Sequence, residues 1–202
     1  MDLVSSIFSK PRVNFQKDVR KFSYYEYKYL VHHHQLHNVK SLLEEFYGGS
    51  DPFPFGTVDS IYYDTIRARL FQQCVNGEDI KWKFRIRGYG DGVYRQIQQK
   101  IKVLSSVRKH KASIHPVSLE SSGAPFWEDL QPLNFRDQSF HKISLNSATY
   151  GFLLPSVRIR YCRYRYRTYD YRFTLDTNIE AQALINGFAC EQTYARLGFH
   201  VL

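Results

Sequence analysis

The chain has 202 residues, of which 43% are hydrophobic, and 28 Lys and Arg stand against 19 Asp and Glu for a formal charge of +9. That is apolar material for one domain with a core, or at most two small ones, and it excludes a disordered chain. It also narrows the partners to nucleic acid, an anionic membrane, or a phosphorylated small molecule or polymer.

Aromatic residues reach 16%, with 16 Tyr and 15 Phe, which favours strands. No apolar run is long enough to span a bilayer, and the opening MDLVSSIFSK lacks a secretory pattern. Cys74, Cys162 and Cys190 are scattered and fit neither a zinc spacing nor a disulfide framework. A reducing, cytoplasmic setting is expected.

Residues 1–20 read as a lead-in without clear period. KFSYYEYKYLV (21–31) alternates, with Tyr25, Tyr27, Tyr29 and Val31 on one face and Glu26 and Lys28 on the other, the signature of a strand. The period then changes: Leu36, Val39, Leu43 and Phe46 predict a helix over 32–47, closed by Gly48 and Gly49. TVDSIYYDT (57–65) predicts a strand, with Asp64 placed to cap a short helix running to about Val75. NGED (76–79) predicts a turn.

KWKFRIRGYG (81–90) is basic on one face and greasy on the other. Lys81, Lys83, Arg85 and Arg87 alternate with Trp82, Phe84 and Ile86, so the cations recur roughly every 7 Å along a strand. VYRQIQQKIKV (93–103) pairs with it as a hairpin, with Gln96, Gln98, Lys100 and Lys102 on one face. Residues 105–155 are the least regular, with room for a helix or two. SVRIRYCRYRYRTY (156–169) carries Arg158 and Arg160 on one face and Arg163, Arg165 and Arg167 on the other, two sets that a bulge would reconcile. YRFTLDT (171–177) alternates again, with Arg172, Thr174 and Asp176 together.

A solvated outer face explains any one of these strands. It explains the set less well, because wet faces mix charges to avoid repulsion across strands. Here cations dominate, and many are Arg, suited to bidentate phosphate contacts. Closed into a barrel, such strands line a tunnel with positive charge.

In order and spacing, YYEYKYLV, VDSIYYDT, KWKFRIRGY, YRQIQQKIK, VRIRYCRYRY and YRFTLDTNI resemble the VTC domain, the polyphosphate polymerase branch of the triphosphate tunnel metalloenzymes. The resemblance runs from about Lys21 to the end. It implies an α+β fold, a mainly antiparallel sheet closing wholly or in part into a tunnel-like barrel braced by helices. It implies ATP and polyphosphate as partners, no specific nucleic acid, and Mn²⁺ or Mg²⁺ as cofactor.

Carried over by position, Lys28, Lys83, Arg85, Arg87, Lys100, Arg163 and Arg172 would be catalytic. Tyr62, Lys109, Lys111 and Tyr161 would bind substrate, and Glu26 would hold the metal. Ser60 and Tyr62 match a second-strand motif, and Thr174 and Asp176 complete Arg-x-Thr-x-Asp. Two departures stand out. Gln98 replaces the family's usual Glu, and the final Glu-x-Lys strand would only be starting at GFHVL, so residues 21–202 are expected to form a domain lacking that strand. The expected activity is transfer of ATP's terminal phosphoryl group to polyphosphate. The alternatives are an impaired polyphosphate- or nucleotide-binding domain, a triphosphate hydrolase of the same fold, and an RNA-binding sheet. The last is disfavoured because aromatics and cations segregate to opposite faces. His33 and His37, one helical turn apart, are the only pair of the HHHQLH run able to converge on an ion.

Overall fold

The computed structural model describes residues 26–119 and 123–202. The lead-in and Tyr25 lie outside them. Ten strands are present among the described residues: β1 (Leu30–His32), β2 (Phe55–Asp64), β3 (Ile80–Tyr89), β4 (Tyr94–Val103), β5 (Ser106–Val117), β6 (Leu154–Arg167), β7 (Arg172–Ile185), β8 (Phe188–Ala189), β9 (Ala195–Arg196) and β10 (Phe199–Val201). Three α-helices accompany them: α1 (Leu36–Tyr47), α2 (Arg69–Val75) and α3 (Gln138–Ala148). The sheet is antiparallel in the order β1-β10-β7-β6-β2-β3-β4-β5, with β8 and β9 alongside β7. No pairing joins β5 to β1 among the described residues, so the ladder is open.

One face of the sheet carries the core. Ile61 and Tyr63 of β2, Phe84 and Ile86 of β3, Ile97 of β4, and Ala112 and Ile114 of β5 form a buried cluster with Leu70 of α2 and Ile143 of α3. A second cluster sets Leu43 of α1 against Val31, Tyr166 and Leu175. Burying a side chain of this size contributes about 1.5–3 kcal/mol, which is what pins the helices to this face.

The helix predicted over 32–47 forms from Leu36, after a single 3₁₀ turn at His33–Gln35. Phe46 is exposed, and Tyr47 takes the inward place, stacked on Phe173 with ring centroids 5.4 Å apart. Asp64 does cap α2, but from outside the helix. Its carboxylate accepts hydrogen bonds from the amides of Thr65, Leu70 and Phe71 at 2.7–2.8 Å, which ties the end of β2 to a helix starting four residues later than a direct N-cap would allow.

The segment expected to be irregular contains β5 and α3. Strand β5 lies at the open edge, so its sequence lacks a clean apolar alternation, and Pro116 is tolerated there. The 171–177 strand extends to Ile185. The first strand, by contrast, pairs over only Leu30–His32, with one further pair of bonds between Tyr29 and Leu202. Among the described residues no helix is long and apolar enough to cross a membrane, and all three cysteines are unpaired.

Candidate functional site

Register places the predicted cations on the face opposite the core. Tyr62 faces Arg85 and Ser60 faces Arg87 across β2–β3; Arg85 faces Gln98 and Lys83 faces Lys100 across β3–β4. Gln98 then faces Lys111, and Lys100 faces Lys109, across β4–β5. On the other flank Arg163 faces Asp176, and Tyr161 lies opposite Val58. Lys83, Lys100 and Lys109 thus form a row across three neighbouring strands, with strand spacing of about 4.8 Å. Like charges directly opposite one another are destabilising without a counter-ion.

The sheet curls around this face. Glu26, four residues before β1, belongs to one end of the strand order, and β4 and β5 to the other. Yet its carboxylate lies 2.6 Å from the Lys100 ammonium and 4.0 Å from that of Lys109. The face is therefore concave, and the two ends of the sheet approach each other across it.

Two guanidiniums sit at its centre. Arg85 donates to the Tyr62 hydroxyl at 2.7 Å and to Gln98 Oε1 at 3.0 Å; Gln98 in turn donates to Gln96. Arg87 is only 6% exposed and donates to Ser60 Oγ at 3.0 Å and to the Tyr161 hydroxyl at 3.1 Å. Among the described residues no carboxylate contacts either. Both are oriented by neutral acceptors that leave the charge uncancelled. Burial raises the Tyr62 phenol, but the Arg85 and Arg87 charges and the Arg85 hydrogen bond outweigh it and hold it below the usual range. Burial lowers the Lys109 ammonium to about 8, with Lys100, Arg85 and Arg87 adding to the shift and Glu26 opposing it.

The remaining predicted residues stand further out. Arg163 is bidentate to Asp176 at 2.6 and 2.7 Å and lies over the Tyr161 ring. Burial disfavours its charge, but Asp176 more than compensates and its pKa rises. Arg172 is on the same face by alternation, but its side chain is 58% exposed and reaches Asp51 at 3.2 Å, so it belongs to the rim. Lys28, Lys83 and Lys111 are exposed. Arg165, not singled out from the sequence, also faces inward. Its guanidinium bonds the Phe53 carbonyl and passes beside Gly56, where a Cβ would stand 3.4 Å from it. In the register Gly56 stands opposite Arg163, and Arg165 reaches it from two residues further along β6, a diagonal contact with no signal in the sequence.

Two expectations are corrected. The β6–β7 register shift near Arg160 places its extra residue in β7, at Asn178 with φ 49°, not in β6. The two arginine sets stay on opposite faces: Arg158 and Arg160 point to the core side, where both contact Asp59. His33 lies in the 3₁₀ turn that precedes α1, not in the helix that carries His37. Its ring nitrogen lies 3.3 Å from His200 of β10 instead.

Among the described residues the donor set does not fit a divalent metal held by the protein. Among the described residues no three His, Cys, Asp or Glu cluster. Burial raises Glu26, but the Lys100 hydrogen bond and the charges of Lys100, Lys109 and Lys28 bring it below the usual carboxylate range. Asp176 is engaged by Arg163 through both oxygens, and Gln98 is neutral and bonded to Arg85. Hard divalent ions take several oxygen ligands, anionic ones foremost.

The VTC domain family matches residues 23–197. No curated protein matches the chain. Among solved structures, a candidate adenylate cyclase from Bacillus halodurans is 13% identical, with a TM-score of 0.46, covering 87% of this chain and 76% of that one. A candidate adenylyl cyclase from Hippeastrum, HpAC1, described as having a dominant triphosphatase activity, is 10% identical, with a TM-score of 0.42, covering 86% and 75%.

Proposed function

This chain belongs to the VTC domain family of the triphosphate tunnel superfamily, and from that premise we propose that its concave face binds ATP and a polyphosphate chain and passes the terminal phosphoryl group from one to the other. The observation that carries this reading is the pair Arg85 and Arg87, set deep in the face and oriented only by hydroxyl and amide partners. A buried, uncancelled cation is costly in a protein by itself, and a phosphate chain supplies the missing charge.

In the reaction, a terminal oxygen of the chain attacks the γ-phosphorus. A new phosphoanhydride forms, the β–γ bond breaks, and its electron pair leaves on ADP. Such transfers need positioning and charge neutralisation more than a side-chain nucleophile. Arg85 and Arg87 would hold the reacting phosphates. Lys83, Lys100, Lys109 and Lys111 would track the chain on one flank, with Arg163 on the other and Lys28 and Arg172 at the rims. Tyr62 and Tyr161 would orient the guanidiniums.

A second reading, tight binding without turnover, is favoured by Gln98 and by the unsuitable metal-donor set. Incubation with ATP and Mn²⁺ or Mg²⁺, with products run on a gel, separates the two. Long-chain polyphosphate supports transfer. Tripolyphosphate binding without turnover supports the second reading, and free phosphate alone shows hydrolysis. A preference for RNA over polyphosphate overturns both.

A further inference from the structure

Glu26, the carboxylate that lies over the row of lysines among the described residues, has a use other than metal ligation. We propose that Glu26 is an exchangeable counter-ion: it neutralises Lys100 and Lys109 while the face is empty and is displaced by the incoming phosphate chain, so that capture of the chain needs no divalent ion. This inference rests on the polyphosphate reading of the concave face.

Three observations carry it. Glu26 Oε2 lies 2.6 Å from Lys100 Nζ, which is hydrogen-bond contact between full charges, and 4.0 Å from Lys109 Nζ. Those lysines share a transverse row with Lys83, which repels itself unless an anion lies above it. Finally, among the described residues Glu26 lies outside the strand ladder, which begins at Leu30 apart from the Tyr29–Leu202 pair. The carboxylate can therefore swing aside without disturbing strand pairing. Its side chain is 32% exposed and that of Lys100 26%, so solvent and a ligand reach both partners of the pair.

Replacing Glu26 by Gln keeps shape and hydrogen bonding and removes only the charge, and it gives opposite results for a counter-ion and for a metal ligand. Tripolyphosphate titrated calorimetrically into the wild-type domain in EDTA should bind about as well as in Mg²⁺. E26Q should bind about fivefold tighter in EDTA, because Lys100 no longer has to give up a carboxylate. Its affinity should also fall more steeply with added salt, since solution anions now occupy the lysines. Binding that appears only with Mg²⁺, and that E26Q weakens, would overturn the counter-ion role while leaving the polyphosphate reading standing. A folded domain, checked by circular dichroism, that binds tripolyphosphate under neither condition would overturn the polyphosphate reading, and this inference with it.

Discussion

Arg158 and Arg87 are both strand arginines with little exposure, and they are held in opposite ways. On the core side Arg158 makes three hydrogen bonds to Asp59, at 2.6–3.2 Å, and Arg160 adds a contact at 3.4 Å. The Asp59 side chain is 5% exposed, so charge is cancelled where it is buried. On the concave side Arg87 and Arg85 meet only neutral acceptors among the described residues. One face uses arginine to hold itself together. At the centre of the other, Arg85 and Arg87 stay charged and pre-aligned at a cost to the empty fold, as a site that must bind an anion requires, while Arg163 and Arg172 further out on the same face are paired with Asp176 and Asp51.

Breaking the pair on the core side should have the largest effect. Arg158→Ala leaves Asp59 buried with only a looser partner, and should lower unfolding free energy by about 3 kcal/mol in denaturant titrations, with tripolyphosphate affinity unchanged. An equal loss of affinity would erase the distinction between the faces. Arg87→Met should do the reverse. Affinity should fall by about 2 kcal/mol, or roughly thirtyfold, while thermal unfolding stays the same or shifts upward, because a buried charge without a carboxylate has been removed.

Tyr62→Phe sharpens the contrast more finely. It keeps the ring but removes one acceptor that aims Arg85, and should weaken tripolyphosphate binding by about 1 kcal/mol without a change in circular dichroism. The smallest effect concerns pH. With its ammonium lowered to about 8, Lys109 is charged below that pH and neutral above it. Affinity should therefore decline as pH is raised through 8, and binding near pH 8.5 should take up protons as the ligand's charge restores the ammonium. Calorimetry in two buffers of different ionisation enthalpy would detect this uptake, and its absence would argue that the chain does not reach Lys109.

The hairpin of β3 and β4 was legible because its two faces differ sharply in character: Phe84, Ile86 and Ile97 alternate with Lys83, Arg85 and Gln98. Strand β5 was not, because Lys109, His110 and Lys111 put polar residues on both faces of an edge. Arg172 was given a catalytic role by its place in Arg-x-Thr-x-Asp, and its neighbour Asp51, in the loop after α1, could not be read from that motif. Glu26, expected to hold the metal, stands beside Lys100, a neighbour 74 positions away in sequence.

Face membership is a local property. Side chains alternate with period two whatever the strand pairs with, so the order of residues was enough to put Lys83, Arg85, Arg87, Lys100, Arg163 and Asp176 on the face away from the oil. Whether a given cation is cancelled or left open is not local. It depends on which strand lies alongside, in which register, and how far the sheet curls, and those follow from ladder pairing and helix packing over the whole chain. Only the folded molecule could give Arg158 a carboxylate, give Arg87 two hydroxyls, and bring Glu26 across the sheet to Lys100.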